Sequence, residues 1–121
     1  MSDAARAYAK TAQTTSSPRE LESHVLIKAA AKLQAVKDDW TNAGEQLTPA
    51  LMYNRKLWTV IVAAMQHPDR PVPQDLRQNV MNLGVFVFGQ TYEMQLEPKP
   101  EKLAALIEIN RNLAAGLRGR A

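Results

Sequence analysis

Cysteine is absent from this 121-residue sequence, which excludes disulfides, thiolate metal sites and a cysteine nucleophile. The five glycines are scattered singly, so no glycine-rich loop is available to hold a phosphate. Long hydrophobic runs are missing too, since the longest stretch without a charged side chain covers only residues 78–92. A helix that crosses a bilayer needs about 20 mostly apolar residues. Residues 1–15 likewise lack the apolar centre of a secretory signal, so the sequence predicts a cytoplasmic protein with no membrane partner.

The side chains that could support catalysis or metal binding are few and dispersed. His24 and His67 lie far apart in the sequence, and neither forms a known metal-binding pattern with a second ligand three or four residues away. Asp38 and Asp39 are adjacent and point in different directions around a helix, so they cannot form one catalytic carboxylate pair. We therefore expect no enzyme activity, no cofactor, no metal and no small-molecule substrate.

Basic residues are slightly in excess but are not concentrated. Fifteen lysines and arginines stand against twelve acidic residues, for a net charge of +3. Only Arg118 and Arg120 lie close together near the C-terminus, and no aromatic side chain accompanies them. Nucleic-acid-binding proteins usually carry a denser basic stripe, often beside stacking aromatics. A nucleic-acid partner is therefore not expected, and residues 118–121 are interpreted as a basic tail that aids solubility.

Prolines separate the segments whose apolar residues recur at helical spacing. Ser17-Pro18-Arg19-Glu20 has the form of a capping box, which predicts that a helix begins there. Thr48-Pro49 is expected to open the next helix in the same way, and Gly44 to end the helix before it. The fold expected for residues 1–121 is all-α, a single-domain bundle of about four to five helices. Its segments are a short N-terminal helix within 1–15 (Asp3 to Gln13), a helix from Pro18 towards Gly44, a helix from Thr48 to the rigid loop 68–73, a fourth helix from Gln74 to Leu96, and a final helix after Pro98-Lys99-Pro100.

One segment could also form a strand. Val85-Phe86-Val87-Phe88 has strong strand propensity, and Gly84 and Gly89 each disfavour a helix by about 1 kcal/mol relative to alanine. We predict a helix because no other segment could pair with a strand, and an unpaired strand leaves its backbone groups without hydrogen bonds.

The fourth helix has two apolar rows, although a surface helix needs only one buried stripe. Two rows indicate either a helix that is buried on all sides or a helix that keeps one face for a partner. The row expected in the core consists of Leu76, Val80, Leu83, Val87 and Met94, and the other row consists of Met81, Val85, Phe88 and Tyr92.

The final helix carries a leucine seam that is interrupted by Asn110. A buried asparagine in such a seam usually selects one register or one partner at a cost in stability, so Asn110→Leu is expected to raise the melting temperature. The alternative is a partly exposed asparagine that caps a neighbouring backbone group. The residues expected to bind a partner are Met81, Val85, Phe88, Tyr92, Leu106, Asn110, Arg111 and Leu113.

A set of motifs spread over nearly the whole chain follows a known order. The most specific is the stretch from Leu106 to Arg111, which reads Leu-Ile-Glu-Ile-Asn-Arg, with Gly116-Leu117 close behind. The others are Tyr8, Ser17-Pro18-Arg19-Glu20 with Glu22, Leu57-Trp58 and Leu83-Gly84-Val85. Together these motifs resemble the FlaF family of flagellar proteins. The sequence departs from the usual family pattern around Gln46 to Tyr53 and in its basic C-terminus.

The resemblance implies a cytoplasmic factor needed for flagellin production and filament assembly. Such a factor helps flagellin reach the export apparatus. It works together with a second protein, FlbT, which restrains flagellin translation. One hypothesis is therefore a chaperone that binds flagellin. The other is a post-transcriptional regulator that acts on flagellin messenger RNA, directly or with FlbT. Salt dependence separates them, because phosphate contacts weaken steeply as salt rises and apolar contacts do not. A homo-oligomer that uses the same apolar surface is a third alternative.

Overall fold

A computed structural model describes residues 18–119, and the short helix predicted within residues 1–15 lies outside them. Residues 18–119 form four α-helices: α1 (Pro18–Asp38), α2 (Gly44–Gln66), α3 (Gln74–Leu96) and α4 (Pro100–Gly119). A short 3₁₀ turn, Trp40–Asn42, joins α1 to α2. No residue between 18 and 119 forms a strand, which confirms the all-α prediction.

The boundary between α1 and α2 differs from the sequence prediction. α1 ends at Asp38, and Gly44 does not end a helix but begins α2. The carbonyl of Ala43 accepts hydrogen bonds from two backbone N–H groups of the first turn, at 2.9 and 3.1 Å, and so starts the helix before Thr48. Pro49 therefore lies inside α2, where its missing N–H removes one backbone hydrogen bond near the N-terminal end of the helix. The prediction that Thr48-Pro49 opens this helix is wrong.

α4 continues further than the sequence suggested. The helix ends at Gly119, so Arg118 lies in its last turn and the residues interpreted as a basic tail begin inside a helix. A positive charge in this position interacts favourably with the partial negative charge of the helix C-terminus. Residues 120–121 lie outside the described part of the chain.

α1 and α4 form the closest pair of helices in the bundle. Small side chains permit this approach, because Ala29, Ala30 and Ala114 are all buried. The hydroxyl of Ser23 donates to the carbonyl of Ala114 at 2.8 Å and so joins the two helices directly. α2 packs on α1, whereas α3 packs mainly on α2 and touches α4 over a smaller area. The bundle thus has a tight pair, α1 with α4, and an outer helix, α3.

The strand-prone part of α3 is helical, as predicted, because its buried residues recur at helical spacing. Val80, Gly84, Val87, Thr91 and Met94 are buried and alternate at separations of four and three. The hydroxyl of Thr91 donates to the carbonyl of Val87 at 2.7 Å, which satisfies a buried polar group within the helix.

Only some residues of the apolar row of α3 that was expected in the core are fully buried. Val80, Val87 and Met94 are fully buried, but Leu76 and Leu83 are half-buried. Leu83 lines an open groove between α3 and α4. Its replacement by alanine should therefore cost less than the ~2–5 kcal/mol typical of a fully buried leucine.

The proline-rich loop between α2 and α3 is held against α1 by an ion pair. Nη1 and Nη2 of Arg70 donate to the two carboxylate oxygens of Glu22, at 2.7 and 2.6 Å. Both side chains are largely shielded from water, with relative exposures of 11% for Arg70 and 14% for Glu22. The hydrogen bond with Glu22 raises the pKa of Arg70, against the opposing effect of burial. Glu22, one of the residues that carries the resemblance to FlaF, thus fixes the loop on which α3 begins.

Glu22→Gln should lower the free energy of unfolding by about 2 kcal/mol, because the shielded guanidinium loses its counter-charge and a strong bidentate contact. Glu97→Gln is the control, since Glu97 pairs with Lys99 at the surface, where the two side chains are 66% and 51% exposed. Exposed ion pairs contribute under ~1 kcal/mol. Urea unfolding of both variants beside the parent measures the two losses, and equal losses would contradict a structural role for the Glu22–Arg70 pair.

Candidate protein-binding surface

Three of the six large hydrophobic side chains that are exposed within residues 18–119 lie on one face of α3. Val85, Tyr92 and Leu96 are 74%, 60% and 64% exposed. Separations of seven and four residues place these three side chains on the same side of the helix. The half-buried Met81 and Phe88 adjoin them and also pack against the core. We call these five residues, Met81, Val85, Phe88, Tyr92 and Leu96, the α3 stripe.

Phe86 is also exposed but does not belong to this stripe. Its side chain is 45% exposed. Adjacent residues of an α-helix point about 100° apart, since one turn contains about 3.6 residues. Phe86 therefore projects from a different side of α3 than Val85, and it provides an internal comparison for the stripe.

A shallow depression beside the stripe lies between α2 and α3. Arg55 and Thr59 of α2 line it on one side, and Phe88, Tyr92 and Gln95 of α3 line it on the other. The hydroxyl of Thr59 donates to the backbone carbonyl of Arg55 at 2.9 Å. The depression has a mixed lining of polar and aromatic side chains, and the exposed Val85 and Leu96 lie outside it. The α3 stripe and the depression together form an apolar ridge beside a groove with a basic edge.

Gly84 sets the distance between the two helices that form this surface. A Cβ atom at Gly84 would lie 2.7 Å from Cγ2 of Val62 and 3.9 Å from Cε3 of Trp58, both on α2. The first of these distances is well inside van der Waals contact. Only glycine lets α3 lie this close to α2, with the α3 stripe turned outward.

The centre of the bundle contains a chain of buried polar side chains. Nε1 of Trp58 donates to Oδ1 of Asn110 at 2.9 Å, and Nδ2 of Asn110 donates to Oδ1 of Asn54 at 2.7 Å. Nδ2 of Asn110 also lies 3.5 Å from the carbonyl of Leu26. Trp58, Asn54 and Asn110 are all fully buried. This network ties α4 to α2 and reaches α1, so Asn110 has a structural role inside the protein.

One donor of the network has no partner. Nδ2 of Asn54 is buried and makes no hydrogen bond to any described residue. An unpaired buried amide lowers stability, so Asn54 is retained at a cost. Its role is to accept the hydrogen bond from Asn110, which fixes the orientation of that amide.

The structure separates the eight residues that the sequence singled out for partner binding. Four of them, Met81, Val85, Phe88 and Tyr92, lie together in the α3 stripe. Leu106 and Asn110 are fully buried in the core between the helices, and Leu113 is buried at the floor of the open groove between α3 and α4. Arg111 is exposed, but it lines a depression with residues of α1, including Lys37, and is not part of the stripe.

Two parts of the surface were missed by the sequence analysis. Leu96 follows Tyr92 by four residues and extends the stripe to the last residue of α3. The spacing of four residues in the sequence was enough to predict this. Arg55 and Thr59 join the surface only because α2 packs beside α3, and no local pattern in the sequence indicates that contact.

A second open groove runs between α3 and α4. Leu76 and Leu83 of α3 line one side, and Ile109 and Gly116 of α4 line the other. Its apolar residues are half-buried, and none of the large exposed hydrophobic side chains of residues 18–119 lies in it. The α3 stripe is therefore the stronger candidate for a docking surface.

Two further findings concern the described residues. Within residues 18–119, no group of three or more histidine, aspartate or glutamate side chains is arranged to hold a metal ion. None of the four helices is both long enough and apolar enough to cross a membrane.

The fold and the surface define a class of protein, a small helical bundle that presents an apolar face formed by a pair of adjacent helices. The sequence profile of the FlaF family, described as flagellar protein FlaF, matches residues 4–117, and the chain belongs to this family. This match confirms the resemblance seen in the sequence, and membership of the family indicates a flagellar role. No curated protein and no solved structure matches the chain with significant similarity.

Proposed function

We propose that this protein binds flagellin in the cytoplasm and that flagellin synthesis, secretion and filament assembly depend on this binding. The observation that carries the proposal is the α3 stripe. Val85, Tyr92 and Leu96 keep more than half of their surface in water although the chain has a well-packed core. A contiguous exposed apolar surface of this kind is typical of a protein-binding site.

The shape of the surface suits a partner with helical segments. A groove between two helices, with apolar side chains along it, is the form in which proteins commonly receive an amphipathic helix. A filament subunit with helical ends must keep its apolar helix faces covered until it is exported. A chaperone that covers one such face with the α3 stripe would prevent premature association of the subunits.

Tyr92→Glu should weaken flagellin binding by at least about thirtyfold, because a charge is placed at the centre of an apolar interface where a key aromatic side chain contributes roughly 2 kcal/mol or more. Tyr92 is exposed, and glutamate is compatible with a helix, so the variant should stay folded. Titration of flagellin against each purified variant measures the affinity, and a thermal melt verifies the fold.

Phe86→Glu is the matched control, since it places the same charge at another exposed aromatic residue of the same helix, on a different side. It should leave binding within about twofold of the parent. Phe88 is less suitable, because it packs against the core and a charge there would combine a loss of folding with a loss of binding. If both glutamate variants bind flagellin like the parent, the stripe is not the binding surface.

The regulator hypothesis gives a different result in the same experiments. A protein that acts on flagellin messenger RNA would bind a transcript fragment, with an affinity that falls steeply between roughly 50 and 200 mM salt. Such binding by the parent, without binding to flagellin, would replace the chaperone proposal.

A further inference from the structure

Charge is distributed unevenly around the α3 stripe. Residues 46–68 of the sequence contain Arg55 and Lys56 and no acidic residue. On α3, the exposed Glu93 follows Tyr92. Arg55 and Lys56 are exposed on α2. Arg55 lines the depression beside Phe88 and Tyr92, and Lys56, the next residue, projects about 100° away around the helix. The α2 edge of the apolar surface is therefore basic, with Arg55 nearest to the depression.

From this arrangement we infer that the face formed by α2 and α3 receives an amphipathic helix of flagellin whose apolar side is bordered by acidic side chains. The inference rests on the proposed function and specifies the chemistry of the partner segment. The apolar side of that helix covers the α3 stripe. Its acidic border lies against Arg55, with Lys56 further out on α2, where charges of opposite sign steer the partner and fix its orientation.

The dimensions agree with a helix of ordinary length. The exposed part of the stripe extends from Val85 to Leu96, which corresponds to about 17 Å along α3, or three helical turns. A partner helix that lies along the depression would present three or four apolar residues at helical spacing to these side chains.

Two other candidate ligands of this surface, residues 1–17 and a second copy of the chain, fit its positive charge less well. Residues 1–17 of the same chain carry Arg6 and Lys10 against a single acidic residue, Asp3, so they would add positive charge to a basic edge. A second copy that docked stripe to stripe would add a second Arg55 and Lys56 to the interface. Like charges at an interface oppose association, so an acidic partner helix is favoured over both.

An anionic membrane surface has apolar and negatively charged parts as well, and it is the main competing ligand for a basic amphipathic face. The concave shape favours a helix, because the depression between α2 and α3 receives a ridge of side chains and not a flat surface. Vesicles are nevertheless included in the test, since lipid binding would overturn the inference.

The test is a charge reversal at the basic edge, with flagellin as the probe. Arg55→Glu with Lys56→Glu should weaken flagellin binding by about tenfold at roughly 50 mM salt, and the difference should shrink at roughly 500 mM salt, where charges are screened. The control is Lys28→Glu with Arg118→Glu, which changes the net charge equally at exposed positions on α1 and α4. It should stay within about twofold of the parent.

The outcomes that would overturn the inference are distinct. Equal weakening by both double variants would show that only net charge matters, and unchanged binding by the Arg55–Lys56 variant would exclude its edge from the interface. A third outcome has three parts: the parent sediments with phosphatidylglycerol vesicles, the Arg55–Lys56 variant does not, and this variant still binds flagellin normally. That result would assign the face to lipid. If the parent does not bind flagellin at all, the proposed function fails, and the inference fails with it.

Discussion

Asn110→Leu should lower the free energy of unfolding by about 2–4 kcal/mol and should lower the melting temperature. The side chain of Asn110 accepts the hydrogen bond from Trp58 and donates to Asn54. Leucine would leave both of those fully buried polar groups unpaired, at a cost of about 1–3 kcal/mol each, which exceeds what an added apolar side chain returns. Urea unfolding followed by tryptophan fluorescence and by circular dichroism measures the change.

This expectation reverses the one drawn from sequence, in which Asn110 merely interrupted an apolar seam and leucine was expected to raise the melting temperature. Asn112→Leu is the control, because Asn112 lies two residues away on α4 and is exposed, so its change should stay within about 0.5 kcal/mol. Adding Trp58→Phe and Asn54→Leu to Asn110→Leu should recover part of the loss, since no polar partner is then left unpaired. An Asn110→Leu variant that melts above the parent would refute the structural role of the network.

Gly84→Leu should lower the free energy of unfolding by about 3 kcal/mol, because even a Cβ atom at this position would lie 2.7 Å from Val62. A leucine cannot be placed there unless α3 moves away from α2, and overpacking of this kind typically costs about 1–3 kcal/mol or more. The same displacement would change the spacing between Thr59 and Phe88, so the flagellin binding proposed above should weaken in the fraction that still folds.

Gly89→Leu is the matched comparison, since Gly89 lies in the same helix and has no atom near the position of its Cβ. Leucine is a better helix former than glycine by up to about 1 kcal/mol, so this variant should be slightly more stable than the parent. Thermal melts of the two variants decide the matter, and similar stabilities would mean that Gly84 is not required for close packing of α2 and α3.

Most helix positions could be predicted from the sequence, because prolines and the spacing of apolar residues determine the conformation of the chain around them. The limits of α3, Gln74 and Leu96, were predicted correctly, since Pro73 and Pro98 restrict the chain on both sides. The start of α2 was not, because Pro49 lies in the second turn, where it costs a hydrogen bond. The backbone hydrogen bonds to Ala43 decide where the helix begins.

The surface could be predicted only in part, because exposure is a property of how helices pack. The spacing of Met81, Val85, Phe88 and Tyr92 identified a second apolar row, but it could not show which row faces water. The partners of Asn110 come from residues more than fifty positions away in sequence and from another helix. Hydrogen bonds of that kind leave no periodic signal, so a buried network and an interrupted seam look the same in one sequence.

The light contact between α3 and α4 has a consequence for local unfolding. The free energy needed to open part of a protein follows the packing that the opening must break. α1 and α4 share a close interface with a direct hydrogen bond across it, whereas α3 is attached chiefly along α2 and through the loop that Arg70 holds to α1. Separation of α3 from the bundle should therefore cost less free energy than separation of α1 from α4. The helix that carries the α3 stripe is the one that the least packing holds among residues 18–119.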